Sequence, residues 1–226
     1  MVCRKIISIT FKCTRDMKTI RLTYDNYKET VKAAAAFLKK GETIVLPTDT
    51  IYGLACGALN EKAVEKLFRI KERDRRKGLP VFVNSFEMAR RFAYIDKKKE
   101  EFLRKIFPGR ITVILHAKDT VPRLATGGKD TIALRMPSDK FILDLIAVFG
   151  KPITGTSANI SGIEPIKTAN EAIKQWSSKK AKPALIIDDG EILGNTPSTI
   201  IDLTGQKPII LRQGIISKKE LDNYLN

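Results

Sequence analysis

Eight short apolar blocks, most of them rich in β-branched residues, recur along this chain with helical patterns between them. They are TIVL (43–46), LPVFV (79–83), ITVIL (111–115), TIAL (131–134), PIT (152–154), ALII (184–187), STIIDL (198–203) and IIL (209–211). Most run without polar alternation, which suits strands covered on both faces. Helical patterns fall at 27–40, ending at Gly41, and at 61–72, where Asn60 is the N-cap and Leu59 and Val64 are spaced for a hydrophobic staple. Others fall at 86–93, 97–107 and 139–149, the last closed by Gly150, while Thr168-x-x-Glu171 and Ser217-x-x-Glu220 have capping-box spacing and open two more. Strands and helices interleaved in this way predict a single layered α/β domain with helices on both faces of a mixed sheet. No repeat, low-complexity segment or linker divides it. Residues 1–20 read as an N-terminal tail or extension, although KTIRLT after Met17 alternates like a strand, and 21–226 as the domain.

At 226 residues and 43% hydrophobic content the chain has ample material for a core. Lys and Arg outnumber Asp and Glu by 41 to 25, a formal charge of +16, which favours an anionic partner such as nucleic acid, nucleotide or membrane surface. Cys3, Cys13 and Cys56 have no C-x-x-C spacing and His116 is the only histidine, so a disulfide framework and a zinc site are both disfavoured and a reducing cytoplasm fits. No apolar run approaches the roughly 18 residues of a membrane span, and the N-terminus lacks a signal-peptide pattern.

Four segments place a cluster of small polar or cationic residues at the end of an apolar strand: VLPTDTIYGLACG (45–57), IALRMPS (132–138), ITGTSANISG (153–162) and IILRQG (209–214). Strand ends in open α/β sheets are where ligands gather. Thr156, Ser157, Asn159 and Ser161 offer donors suited to phosphate or carboxylate oxygens, and equally the residues of an ordinary turn. In PTDT, local capping in a strand-to-helix loop accounts for Asp49 but not for three neighbouring hydroxyls, Thr48, Thr50 and Tyr52. Arg135 and Arg212 each follow three apolar residues, which suits either a planar anion or a structural ion pair. The run KERDRRK (71–77) carries five cations, either as a solvated helix end or as part of an anion site. With one histidine, on a strand, Ser-His-Asp and Cys-His catalysis are disfavoured; GGKDT (127–131) fails the P-loop pattern and no G-x-G-x-x-G is present.

PTDTIYGL, then Lys71-x-Arg73, TIALRMP, TSANISG, PSTIID (197–202) and ILRQG, in that order between about residues 30 and 215, resemble the YrdC/TsaC family of threonylcarbamoyl-adenylate synthases. The resemblance implies a YrdC-like fold, a single three-layer α/β domain with a twisted mixed β-sheet flanked by helices around a positively charged cavity, and an enzyme that makes threonylcarbamoyl-AMP and pyrophosphate from L-threonine, bicarbonate or carbon dioxide, and ATP. Mg²⁺ would be carried with the nucleotide, and a separate transferase complex would pass the threonylcarbamoyl group to tRNA. By the same resemblance Thr50, Arg135, Ser157 and Ser198 surround threonine. Lys71, Arg73, Lys77, Thr131, Asn159 and Arg212 surround ATP, while Arg75 and Arg76 match no fixed position. No side chain is expected to act as nucleophile and no protein metal site is expected. In the reaction the resemblance implies, the carbamate of threonine attacks the α-phosphorus directly, so that the protein's task is to align two anions and screen their charge.

Three features depart from the family pattern: Phe82 where many members have histidine, Arg110 in place of the second proline of P-G-P, and an end at Asn226 that reads as a short, single-domain form. The alternative is a non-catalytic module that holds tRNA or double-stranded RNA on its basic surface, against which stand 7% aromatic residues and no stacking platform. A carbamoyl-transfer domain of the hydrogenase-maturation type shares the fold, but no acylphosphatase or cysteine-rich zinc segment is found here.

Overall fold

The computed structural model describes residues 12–14, 17–193 and 196–225. Most of the expected N-terminal tail, residues 1–11 with 15 and 16, lies outside the described residues. In chain order come β1 (Lys12–Thr14), β2 (Met17–Arg21), α1 (Tyr27–Lys39), β3 (Ile44–Leu46), β4 (Gly53–Ala55), α2 (Glu61–Lys71), β5 (Val81–Phe82), α3 (Phe86–Phe92), α4 (Lys97–Ile106) and β6 (Ile111–His116). They are followed by α5 (Arg123–Thr126), β7 (Thr131–Arg135), α6 (Lys140–Phe149), β8 (Ile153–Thr154), β9 (Thr156–Ser157), α7 (Ala169–Trp176), β10 (Leu185–Asp188), β11 (Thr199–Asp202), β12 (Ile209–Arg212) and α8 (Lys218–Leu225).

The strands form two mixed six-stranded sheets where the sequence suggests one. The first is ordered β1-β2-β10-β3-β4-β9 and the second β12-β11-β6-β7-β5-β8. They are stitched where β8 passes through Gly155 into β9. There Thr154 N donates to Cys56 O (2.8 Å), Ala58 N to Pro152 O (3.0 Å), and Gly57 bridges Ile153. The boundary expected at residue 21 falls inside β2, which pairs in parallel with β10 and buries Met17 and Ile20 completely.

In the first sheet the unbroken apolar blocks are explained by helices on both faces. Ile44 and Leu46 of β3 and Leu185 and Ile187 of β10 pack with α1 and α6 in one core, while Val45 and Ile186 point into the other. On α1, Val31, Ala34, Ala35 and Leu38 repeat at helical spacing, and Phe141, Ile142, Leu145 and Ile146 of α6 meet them. The second sheet differs. Val113, Leu115, Ile132, Leu134 and Ile201 fill the core on one face, and the residues between them face a cavity.

Local signals hold at the helix ends. The Asn60 side chain accepts from Ala63 N (3.1 Å), Thr168 from Glu171 N (3.2 Å) and Ser217 from Glu220 N (3.2 Å). Such caps are local hydrogen bonds, legible at short range.

Candidate active site

A cavity of ≈ 530 Å³ lies over the polar-facing side of the second sheet. Its floor is alternate residues of three strands: Thr112 and Ile114 of β6, Thr131, Ala133 and Arg135 of β7, and Ile200 and Asp202 of β11. The site thus occupies a sheet face as well as strand ends, because period-two alternation sends every second side chain of these strands out of the core.

Asp49 sits in a loop between strands β3 and β4, rather than the strand-to-helix loop expected, and it makes no local cap. Its Oδ1 accepts from Arg135 Nη2 (2.5 Å), and its Oδ2 from Ser138 N (3.1 Å) and Ser138 Oγ (2.7 Å). The two charged side chains are 4% and 7% exposed. Arg135 also donates Nε to Gly109 O (3.0 Å) and Nη1 to Thr50 Oγ1 (3.4 Å), so its plane is held at three points. Burial lowers the pKa of the guanidinium and Asp49 opposes that shift. Thr48 supplies the local turn instead: its Oγ1 accepts from Thr50 N and Ile51 N, both at 3.1 Å, and donates to Ile51 O (2.6 Å).

The run KERDRRK divides residue by residue. Val64, Leu67, Phe68 and Lys71 lie on one stripe of α2, so Lys71 is carried inward with the apolar face and is 2% exposed. Its ammonium donates to Ser157 O (2.5 Å), Ser157 Oγ (3.2 Å), Asn159 O (3.0 Å) and Asn159 Oδ1 (2.8 Å). Burial, with Arg73 adding to it, lowers the ammonium to about 7. Glu72 then takes a left-handed conformation (φ 50°), ending the helix and turning the chain outward. Arg73 consequently faces the cavity, with Nε on Lys77 O and Nη2 on Gly78 O, both at 3.0 Å. Lys77 lines the cavity beside it, whereas Arg75 and Arg76 are solvated and paired with Glu65 and Asp74.

The loop is clamped against its neighbour by close backbone contact. A Cβ on Gly78 would stand 2.8 Å from Thr126 O, and one on Gly127 would stand 2.6 Å from Arg76 O. This contact brings the end of the GGKDT loop to the wall, where Lys129 joins Thr131 and Thr126. Arg212 joins the wall near Arg73: Nη2 donates to Ser198 O (2.7 Å) and Ser198 Oγ (3.4 Å), and Ser198 Oγ bonds Thr112 Oγ1 (2.8 Å). Partial desolvation by the surrounding wall lowers Arg73 and Arg212, and the proximity of Arg212 lowers Arg73 further.

Of the ten site residues expected, Thr50, Arg73, Lys77, Thr131, Arg135, Ser157, Ser198 and Arg212 line this one cavity. Lys71 and Asn159 do not. They bond each other behind the wall, where Asn159 Nδ2 also donates to Ile160 O (3.0 Å) and Ile163 O. Ser198, expected with Arg135 around threonine, bonds Arg212 on one side and, on the other, Thr112 of the strand next to that of Arg135. Lys129 and Asp49 were not assigned from the sequence: Lys129 is two residues from Thr131, whereas nothing local marks the partner of Asp49, 86 residues away.

Among the described residues, the lining cations Arg73, Lys77, Lys129, Arg135 and Arg212 face a single lining carboxylate, Asp202, which accepts from Thr204 N (2.8 Å) and Thr204 Oγ1 (2.7 Å). A cavity so lined has the charge and hydrogen-bond donors that suit small, strongly anionic molecules. The chain matches the Sua5/YciO/YrdC family model, described as telomere recombination, over residues 36–214, and it belongs to that family. A relative from Pyrococcus abyssi, named threonylcarbamoyl-AMP synthase, is 36% identical over 196 residues, covering 86% of this chain but only 57% of its own length. A relative of the same name from Photorhabdus laumondii is 36% identical over 184 residues, covering 78% of this chain and 92% of its own. The crystal structure of P. abyssi Sua5 complexed with L-threonine matches with a TM-score of 0.83 at 35% identity, covering 92% of this chain and 60% of that one.

Proposed function

We propose that this chain is an L-threonylcarbamoyladenylate synthase, joining L-threonine, bicarbonate or carbon dioxide, and ATP into threonylcarbamoyl-AMP and pyrophosphate, the first step of tRNA threonylcarbamoyladenosine modification. The supporting observation is one cavity with a paired, fixed guanidinium at one end and, at the other, a group of cations without carboxylate partners among the described residues. A monocarboxylate suits the first end and a polyphosphate the second.

In this reading Arg135, Thr50 and Ser157 receive threonine, and Arg73, Lys77, Thr131 and Arg212 receive the nucleotide, with Mg²⁺ arriving on its phosphates. Ser198 lies between the two, bonded to Arg212. Lys71 and Asn159 act from behind, holding the loop that presents Ser157. The threonine amine forms a bond to the carbon of carbon dioxide and loses a proton to solvent, giving a carbamate. A carbamate oxygen then bonds the α-phosphorus as the bond to pyrophosphate breaks. No protein nucleophile takes part. Alignment of two bound reactants contributes about 7–11 kcal/mol to such a step, and fixed cations offset the charge of bringing two anions together. The product passes to a separate transferase in the cytoplasm.

The test is pyrophosphate release from MgATP with threonine and bicarbonate each omitted in turn. Release that needs both supports the synthase. Release with neither makes the protein a nucleotide hydrolase, and retention of RNA by an inactive protein returns the RNA-binding alternative. Asn159→Ala sharpens the choice: turnover should be lost while any salt-sensitive RNA affinity is unchanged.

A further inference from the structure

Phe82 is the aromatic ring of the cavity wall, and it is locked from two sides. On β5 it stands in register with Arg135 of the parallel strand β7, and its ring centroid lies 5.6 Å from the guanidinium carbon. Its tip presses on Gly155, the residue between the two sheets: a Cβ there would stand 2.0 Å from Phe82 Cζ and 2.3 Å from both Cε atoms. The ring is 4% exposed and lines the cavity with Arg135, Thr50 and Ser157. Arg135 cannot swing away, since Asp49, Gly109 and Thr50 hold its three nitrogens. An amino acid whose carboxylate meets Arg135 therefore has its side chain within reach of a rigid apolar surface.

We propose that Phe82 is a specificity-determining residue, the wall against which the β-methyl group of the amino acid packs, so that threonine is preferred over serine. This rests on the synthase reading above. An apolar wall cannot recognise the hydroxyl that the two amino acids share. It discriminates only the methyl group, a difference worth about 10–200-fold in an apolar pocket. Gly155 is its necessary counterpart, because any side chain there displaces the ring from this position.

The test is direct titration of L-threonine and L-serine into the intact protein, without ATP, for the natural chain and for Phe82→Leu, Phe82→Ala and Gly155→Ala. Phe82→Leu keeps apolar volume and guards against loss of the fold, which thermal unfolding monitors. Phe82→Ala should lower the threonine-to-serine affinity ratio by about tenfold, and Phe82→Leu should lower it less. Gly155→Ala should weaken threonine binding, and combining it with Phe82→Ala should remove that added loss, since the clash needs the ring. A ratio unchanged in both Phe82 variants while threonine still binds overturns the inference and leaves the synthase standing. Failure of the natural chain to bind threonine at all overturns the synthase reading, and this inference with it.

Discussion

The two ends of the cavity hold their cations in opposite ways. At one end Arg135 is buried, bonded to the buried carboxylate of Asp49 and fixed at three points. At the other, Arg73 and Arg212 rest on backbone carbonyls, with Lys77 and Lys129 beside them in the lining. A carboxylate partner makes a buried guanidinium tolerable and sets its angle, but it also cancels most of the charge a ligand would feel. Carbonyl partners orient a guanidinium and leave its charge intact. The first arrangement suits a zwitterion with one carboxylate, the second a polyphosphate. Lys71 is a third case, buried on oxygens that carry no charge, and its ammonium is lowered to about 7 as a result.

The contrast is broken most severely by Asp49→Ala, which leaves Arg135 as an uncompensated buried cation. Stability should fall by about 3–5 kcal/mol in a urea titration. A loss no larger than that of an ordinary surface substitution would mean that solvent reaches the pair.

The next largest effect comes from pH. A lysine lowered in the folded state opposes folding wherever it is charged, so its unfavourable contribution is complete below about pH 7 and disappears as pH rises toward the ordinary lysine range. Relative to Lys71→Met, the natural chain should gain about 2 kcal/mol between about pH 7 and pH 9. Parallel stability curves for the two proteins would show that the ammonium stays charged on its four oxygens.

Arg212→Ala should weaken ATP binding about tenfold or more, the value of a charge-assisted contact, while leaving threonine binding and the melting temperature nearly unchanged. Arg76→Ala, whose side chain pairs with Asp74 outside the cavity, should change neither and serves as the control. Loss of threonine binding in Arg212→Ala would dissolve the division between the two ends.

Salt should give the smallest effect and the finest distinction. The Debye length falls from about 30 Å at 0.01 M to about 10 Å at 0.1 M, so ATP affinity at the exposed end should drop several-fold over that range. Threonine affinity at the dry Arg135 end should hold nearly constant. Equal sensitivity at both ends would make Arg135 as wet as Arg212.

The expected helices, the caps at Asn60, Thr168 and Ser217, and the apolar blocks of β3, β6, β7, β10 and β11 were legible because each is a local pattern of spacing or capping. The cavity was legible in part for the same reason: PTDT, TSANISG, TIALR and ILRQG announce strands that end in donors. Lys71 combines a charge with an inward phase. It falls one turn beyond Leu67 and Phe68 on the apolar stripe of α2, and periodicity alone would have sent it inward.

What no local pattern contains is the set of long-range pairings. The sequence by itself determined a layered α/β chain with a cationic, hydroxyl-rich site, because hydrophobic period, capping and net charge are properties of neighbours along the chain. Tertiary structure decided that there are two sheets rather than one, and that one face of the second is a cavity floor. It also decided that Asp49 neutralises Arg135, that Lys71 serves a loop 86 residues away, and that Phe82 rests on Gly155. Each of these depends on which distant residues share a low-dielectric space, where a charge is as costly or as strong as its nearest partner makes it.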